Sequence, residues 1–425
     1  MTKKTKIVAT IGPASESPIM LSNLFRLGVD VCRLNFSHGE YLWHKKAIGK
    51  IRRAAGAVRK KVGIMADIQG PRIRVMNRAP LELVLGEKIF LTDEVSIHHH
   101  KKKELMLDWE GFYQHLKKGA LVYIEDGLIS LKVVKREKLG CWAEVTSAGL
   151  VKPHKGVNIP SISHFMGFLT EKDFRDLDFV LEQGVDLIAV SFVATGKDIS
   201  RLRTIITEKL QTKKAIQKKS GKKEKIILPW IVSKIERKEA VEHLEGIIEA
   251  SDAIMVARGD LAIEMPQEKL GILQKEIISK CRKHKKPVIV ATQMAHTMIE
   301  NSRPTRAEIS DITNAVIDGA DAIMFSGETA QGKFPIKVVE TAASIIYETE
   351  KSPLNDTLLG RIGKFARMIL GARKGKKNRR RKILLANSLP EAIAISSLRQ
   401  EDIVVRLKNP LEKEREKLSL VWGAE

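Results

Sequence analysis

At 425 residues, 43% hydrophobic and 29% charged, the chain is too long for one ordinary core of about 100–200 residues and reads as globular, with two or three domains. No apolar stretch reaches the roughly 18–20 residues of a membrane span, and Cys32, Cys141 and Cys281 form no Cys-x-x-Cys pair, which excludes a membrane partner, a disulfide framework and a zinc site. The net charge of +23 would raise nucleic acid as a partner, but the runs Lys213–Lys225 and Arg373–Lys382 carry +14 of it, and like-charged blocks of this kind are solvated loops or tails.

In chain order, Met1-Thr-Lys-Lys leads directly into a strand-like run with no signal-peptide hydrophobic region, so the cytoplasm is the expected compartment. Apolar runs follow at Lys6–Ile11, Val29–Asn35 and Val62–Asp67, and then at Asp186–Phe192, Ile226–Lys234, Asp252–Ala257, Pro287–Thr292 and Asp321–Ser326. They are rich in Val, Ile and Ala without polar alternation, as parallel strands buried on both faces should be. Helix-like stretches such as Glu171–Gln183 and Lys269–Lys283 lie between them. The predicted fold class is α/β, an eight-stranded (β/α)8 TIM barrel. A repeated turn supports tandem units: Gly28-Val-Asp30, Gly184-Val-Asp186 and Gly319-Ala-Asp321 each close a helical pattern with glycine and open a strand.

The spacing breaks between the third and fourth runs. Alternating segments at Lys88–Leu91, Leu121–Ile124 and Ile129–Val134 there predict a small β domain inserted into the barrel. The expected organisation is therefore residues 1–74 and 165–350 as barrel, 75–164 as the insertion, and 351–425 as a shortened α/β C-terminal domain.

A barrel of this class keeps its chemistry at the C-terminal ends of its strands. Those ends carry Arg33-Leu-Asn35-Phe-Ser37-His38, Asp67 to Arg74, Lys234 with Glu236, Arg258-Gly259-Asp260, Thr292-Gln293 and Ser326-Gly-Glu-Thr329. Glu236 and Asp260 lie about one βα unit apart, so their carboxylates can converge on Mg²⁺ or Mn²⁺ with sites left for water and substrate oxygens. Lys234 offers a compact charge for a phosphoryl group in transfer, while Arg33 and Arg74 offer forks for phosphate or carboxylate. Gly259 and Asp260 can present backbone N–H groups to an anion, and Thr292 and Ser326 supply hydroxyls. Each has a plainer reading: salt-bridged carboxylates, a snorkelling lysine, surface ion pairs, strand-cap hydrogen bonds. An anionic substrate with a divalent cation is favoured because the groups occur together.

Several ordered segments then resemble the pyruvate kinase family: Thr5-Lys-Ile-Val-Ala-Thr-Ile-Gly-Pro-Ala-Ser15, Arg33-Leu-Asn-Phe-Ser-His-Gly39, Gly156-Val-Asn-Ile-Pro160, Ser233-Lys-Ile-Glu236, Pro304-Thr-Arg-Ala-Glu308 and Ser326-Gly-Glu-Thr-Ala330. The resemblance implies a barrel with an inserted β-barrel lid that transfers phosphate from phosphoenolpyruvate to ADP, giving pyruvate and ATP in the last step of glycolysis. It implies Lys234 on the transferring group, Glu236 and Asp260 on Mg²⁺, and Arg33 on substrate phosphate. It places Gly259, Asp260 and Thr292 at the substrate, Asn35, His38, Arg74 and Lys155 at nucleotide, and Thr292 and Ser326 where the enolate is protonated. The family's monovalent-cation site maps to Asn35, Ser37, Asp67 and the carbonyl of Ile68. Arg72 stands where potassium-dependent members carry glutamate, so K⁺ is expected to be dispensable.

The shortened C-terminal part implies loss of sugar-phosphate activation and a weakened C-domain contact, with a homo-oligomer formed through the barrel. Two rival readings remain. One is a nucleic-acid-binding protein on a catalytically retired barrel, with binding only weak and non-specific because the basic runs lack interleaved aromatics. The other is a Mg²⁺-dependent pyruvate-enolate lyase or aldolase, which gives no purpose to Lys155 or the lid.

Overall fold

A computed structural model describes residues 3–93, 103–125, 127–162, 167–219 and 228–352, together with 382–386, 389–396, 403–407, 417 and 420. Three strands open the chain, β1 (Lys6–Thr10), β2 (Val29–Asn35) and β3 (Gly63–Ile68). The insertion holds β4 (Ile73–Arg74), β5 (Leu81–Leu83), β6 (Lys88–Asp93), β7 (Glu104–Leu107), β8 (Leu121–Ile124), β9 (Ile129–Glu137), β10 (Gly140–Ser147), β11 (Gly149–Val151) and β12 (Gly156–Asn158). The chain then returns through β13 (Leu187–Val190), β14 (Trp230–Ile235), β15 (Ala253–Ala257), β16 (Val288–Ala291) and β17 (Ala322–Phe325).

Strands β1, β2, β3 and β13 to β17 form a closed, wholly parallel barrel in chain order. The (β/α)8 expectation therefore holds, with strand limits shifted by a residue or two. The exception is the fifth run, where the strand begins only at Trp230, after Pro229, which has no N–H to give a ladder. Helices α1 (Pro18–Leu27), α2 (Tyr41–Ala57), α3 (Glu171–Gln183), α4 (Gly196–Lys219), α5 (Lys238–Glu242), α6 (Leu244–Ala250), α7 (Arg258–Glu264), α8 (Leu270–Lys283), α9 (Arg306–Asp318), α10 (Gly327–Ala330) and α11 (Pro335–Lys351) join the strands. Their apolar faces meet the outer faces of the strands in one continuous core, while Val8, Val31, Met65, Val232, Met255 and Met324 belong to a second core cluster drawn from the barrel strands.

Local chemistry fixes the helix ends. Thr170 with Asp173 and Thr305 with Glu308 form reciprocal capping boxes at the starts of α3 and α9. Gly28, Gly184 and Gly319 close α1, α3 and α9 in left-handed conformations at φ 118°, 64° and 99°.

The aspartate of the repeated turn has its own task. Asp30 Oδ2 accepts from Ile7 N–H, Asp186 Oδ2 from Ile64 N–H and Asp321 Oδ2 from Val288 N–H, at 2.9 Å each. Asp252, which no glycine turn precedes, does the same for Ile231 N–H at 2.8 Å. Each carboxylate reaches back to the start of the preceding strand, so the barrel is stitched in consecutive pairs: β1 to β2, β3 to β13, β14 to β15, and β16 to β17.

In the insertion, β4, β12, β8, β9, β10, β6 and β7 form a sheet in that order, with β5 and β11 paired separately. The end strands meet through a Val75–Leu107 bridge and the bonds from Met76 N–H to Met106 O and from Asp108 N–H to Arg74 O, which brings the sheet round on itself. It has its own core, including Leu91, Leu105, Val122, Leu131 and Val145. In the C-terminal part, β18 (Lys382–Ala386) and β19 (Ile403–Leu407) pair in parallel beside α12 (Leu389–Ser396). Ala386, Ala392 and Leu420 join the same cluster as the barrel-strand residues, and Lys417 donates to the carbonyl of Leu228 just before β14. The basic run Arg373–Lys382 lies outside the described residues apart from Lys382.

Candidate active site

A cleft of about 510 Å³ opens where the C-terminal strand ends face the inserted domain. The barrel contributes Arg33, Lys234, Glu236, Asp260, Thr292 and Ser326 to it, and the insertion contributes Arg74, Glu125, His154, Lys155 and Gly156. Among the described residues seven non-glycine positions have positive φ, and five of them, Glu125, His154, Phe192, Thr292 and Gln293, line this cleft. Backbone strain of this kind persists where the surroundings over-determine it and gathers at functional sites.

The centre is a buried charge network. Lys234 Nζ lies 2.8 Å from Glu236 Oε1 and 3.3 Å from Asp67 Oδ1, and donates to Ser191 Oγ at 2.8 Å. Arg33 Nε donates to Asp67 Oδ2 at 2.7 Å, and its Nη1 donates to Thr10 Oγ1 at 3.0 Å. Burial alone would lower the Lys234 pKa, but Asp67 and Glu236 hold it above the ordinary lysine value. Burial would raise Asp67, yet Lys234 and Arg33 keep its carboxyl below the usual range. Lys234 is therefore a fixed positive charge with carboxylate partners on one side and the cleft on the other.

Glu236 differs from Asp67. Burial pushes its carboxyl above the usual range and the charge of Asp260 adds to that, against the opposing pull of Lys234. Asp260 Oδ1 is buried without a hydrogen-bond partner among the described residues, and an Arg72 Nη2 lies 3.7 Å away. Two carboxylates that repel each other, one with an orphaned buried oxygen, fit a hard divalent cation. No group of three or more His, Cys, Asp or Glu suited to a metal occurs among the described residues, so such an ion would take its remaining ligands from water or substrate, as Mg²⁺ commonly does.

Around this centre, Thr292 Oγ1 donates to Ala291 O at 2.6 Å and accepts from Gly259 N–H at 2.8 Å. Here the structure differs from the sequence reading: the Gly259 N–H, expected to meet an anion, is engaged by the Thr292 hydroxyl. Arg258 also points elsewhere, donating to Asp311 Oδ1 and the carbonyl of Thr292, both at 2.7 Å, and so ties α9 to the end of β16. Ser326 lines the cleft, and its N–H donates to Glu328 Oε2 at 2.7 Å.

At the end of β2, Asn35 Oδ1 accepts from Ser37 N–H at 3.2 Å. Burial, with the charges of Arg74, Arg72 and Arg33, lowers the His38 pKa below the usual histidine value. Arg74 Nη1 donates to the His154 carbonyl at 3.0 Å, and Lys155 is ion-paired with Glu125. Of the monovalent-cation set, Asp67 is paired with Arg33 and Lys234, and the Ile68 carbonyl accepts from Ser191 Oγ at 3.0 Å. Arg72 faces Asp260, not Asp67.

Sequence reading passed over Ser191, Glu125, Thr10 and Glu328. Ser191 could have been found by the same logic as Lys234, since it is a hydroxyl at the end of the apolar run Asp186–Phe192. Glu125 gave no signal, because an acidic turn residue looks like ordinary turn chemistry.

Fold and site together define a (β/α)8 barrel with an inserted β domain and, between the C-terminal strand ends and that domain, a cleft lined by charged side chains. The particular family is shown by comparison. Residues 2–339 match the family model described as "Pyruvate kinase, barrel domain". Relatives named pyruvate kinase include one from Bacillus licheniformis, 41% identical over 82% of this chain and 58% of its own length. Another, from Mycobacterium tuberculosis, is 39% identical over 83% of this chain and 71% of its own. A third, from Clostridium acetobutylicum, is 36% identical over 99% of this chain and 88% of its own. The chain belongs to the pyruvate kinase family. It spans less than two thirds of the length of some of these relatives, including the one from Bacillus licheniformis.

Proposed function

We propose that the protein transfers the phosphoryl group of phosphoenolpyruvate to ADP, giving pyruvate and ATP. The observation that carries this reading is the convergence of Lys234, Arg33, Glu236 and Asp260 in one cleft at the C-terminal ends of the barrel strands. Glu236 and Asp260 would hold Mg²⁺ or Mn²⁺, which neutralises phosphate charge when bound. Lys234, preorganised by Ser191 and Glu236, stabilises the charge on the phosphoryl group as its bond loosens. Arg33, fixed by Asp67 and Thr10, presents a guanidinium to the same phosphate. Thr292 and Ser326 place hydroxyls on the side where the enolate is protonated, and Arg74, His38, Asn35 and Lys155 frame the nucleotide.

The reading extends to independence from K⁺. A monovalent cation supplies positive charge beside Asn35, Ser37 and Asp67, and here Arg72 brings a guanidinium into the same cleft, so the field is already supplied. The lack of sugar-phosphate activation, the weakened C-domain contact and assembly through the barrel belong to the same reading and concern a partner or residues largely outside those described. The test is a coupled assay for ATP formation from phosphoenolpyruvate and ADP. Activity that requires Mg²⁺ or Mn²⁺ is the expected result, and no ATP under any divalent cation would overturn the proposal. A lyase on pyruvate enolate would instead turn over without nucleotide.

A further inference from the structure

Outside the cleft lining, Arg237 follows Glu236 at the end of β14 and is 2% exposed. Its Nη1 donates to the Phe192 carbonyl at 3.3 Å, and its Nε faces Glu239 at 3.3 Å. Its Nη2 is buried with no hydrogen-bond partner among the described residues. A guanidinium held dry with so few partners is costly, and its Nη1 bond ties it to the turn at Phe192.

Phe192 stands at φ 57°, a left-handed conformation that a phenylalanine rarely adopts. Its N–H donates to Glu236 Oε2 at 2.9 Å. Ser191, just before it, accepts from Lys234 Nζ at 2.8 Å and donates to the Ile68 carbonyl at 3.0 Å. The phenyl ring packs on Gly70, where an added Cβ would come within 3.0 Å of Phe192 Cδ2. One strained turn thus holds both the cleft lysine and one oxygen of a cleft carboxylate.

We infer that Arg237 is a positioning residue, which locks this left-handed turn through the Phe192 carbonyl so that the Phe192 amide fixes the Glu236 carboxylate toward the divalent cation. The inference rests on the reading of Glu236 and Asp260 as that cation's ligands. With Oε2 tied to the amide and Oε1 to Lys234, the carboxylate cannot rotate. Without Arg237 the turn can relax to an ordinary conformation and the carboxylate is freed.

The experiment is Mn²⁺ binding to the purified protein without substrates, followed by the electron paramagnetic resonance of free Mn²⁺, alongside urea unfolding. Arg237→Met is expected to weaken Mn²⁺ about 10–100-fold, the usual cost of removing an outer partner of a ligand. Arg237→Lys, which keeps a donor, should retain most of the affinity. Adding Phe192→Gly to Arg237→Met should recover part of it, because glycine holds positive φ without strain. An Mn²⁺ affinity of Arg237→Met within twofold of wild type would overturn the inference, whatever happens to the urea midpoint. Failure of Phe192→Gly to recover any affinity would overturn the route through the turn. If the wild-type protein binds no Mn²⁺, the metal-site reading itself falls and takes the inference with it.

Discussion

Lys234 shows why position outweighs residue type at this site. An exposed lysine is worth little in an ion pair, but here burial and two carboxylates give the ammonium one orientation and a permanent charge. Lys234→Met should lower kcat about 10²–10³-fold, as expected for loss of a preorganised charge, with a smaller change in KM. The coupled ATP assay measures this, and a drop of less than tenfold would count against the assigned role. Arg72 makes a second residue-scale claim. Its guanidinium reaches Asp260 and not Asp67, so any replacement of K⁺ acts through the field in the cleft and not by occupying the cation's ligands. Activity in buffer freed of K⁺ should match that with K⁺ added. Activity lost without K⁺ and restored by it would refute the claim.

The elements show what a sequence can reveal about a barrel. The apolar runs marked each barrel strand because parallel strands buried on both faces must be apolar throughout, and glycine after a helix marked α1, α3 and α9. Lys234, Glu236 and Asp260 were legible because charge at the end of such a run has few bland explanations. The engagement of Gly259 N–H by Thr292 was not legible, since it depends on a strained turn at φ 69° that no periodicity encodes. Nor was the purpose of the aspartate in the Gly-x-Asp turn, because its partner lies on the neighbouring barrel strand and only the pairing of the two strands brings them together. The stitches have a measurable consequence. Removing one, as in Asp321→Ala, leaves the Val288 N–H buried and should cost about 1–3 kcal/mol in urea unfolding. A change below 0.5 kcal/mol would show that water replaces the carboxylate. Asp30 adds a pH dependence: burial alone would raise its pKa, but Lys3 and Lys60 hold it well below the carboxylate range. Its contribution is therefore complete above about pH 4, the unfolded value, and is lost as the pH falls further. Stability of wild type relative to Asp30→Asn should shrink on acidification below that point, and a constant difference would contradict the assignment.

For the whole molecule, the placement of charge decides between the enzyme and a nucleic-acid-binding role. The lysine run begins at Lys213 inside α4, a helix that leaves the C-terminal end of β13 and returns toward the start of β14. Lys213 Nζ donates to the Leu181 carbonyl near the end of α3, just before the chain enters β13, so the run starts at the end of the barrel opposite the cleft. Arg282, Lys285 and Lys286 gather at that same end, before β16. A polyanion drawn to this face would meet lysines and arginines without touching Lys234 or Asp260, so binding and catalysis should be independent. A short DNA duplex should bind weakly at 50 mM salt and lose roughly 100-fold in affinity by 200 mM if it neutralises about four phosphates. Saturating phosphoenolpyruvate and ADP should leave that affinity unchanged, and the duplex should leave ATP formation unchanged. Competition between duplex and nucleotide would place the polyanion in the cleft, and with it the balance of the molecule's charge would favour the binding role over the catalytic one.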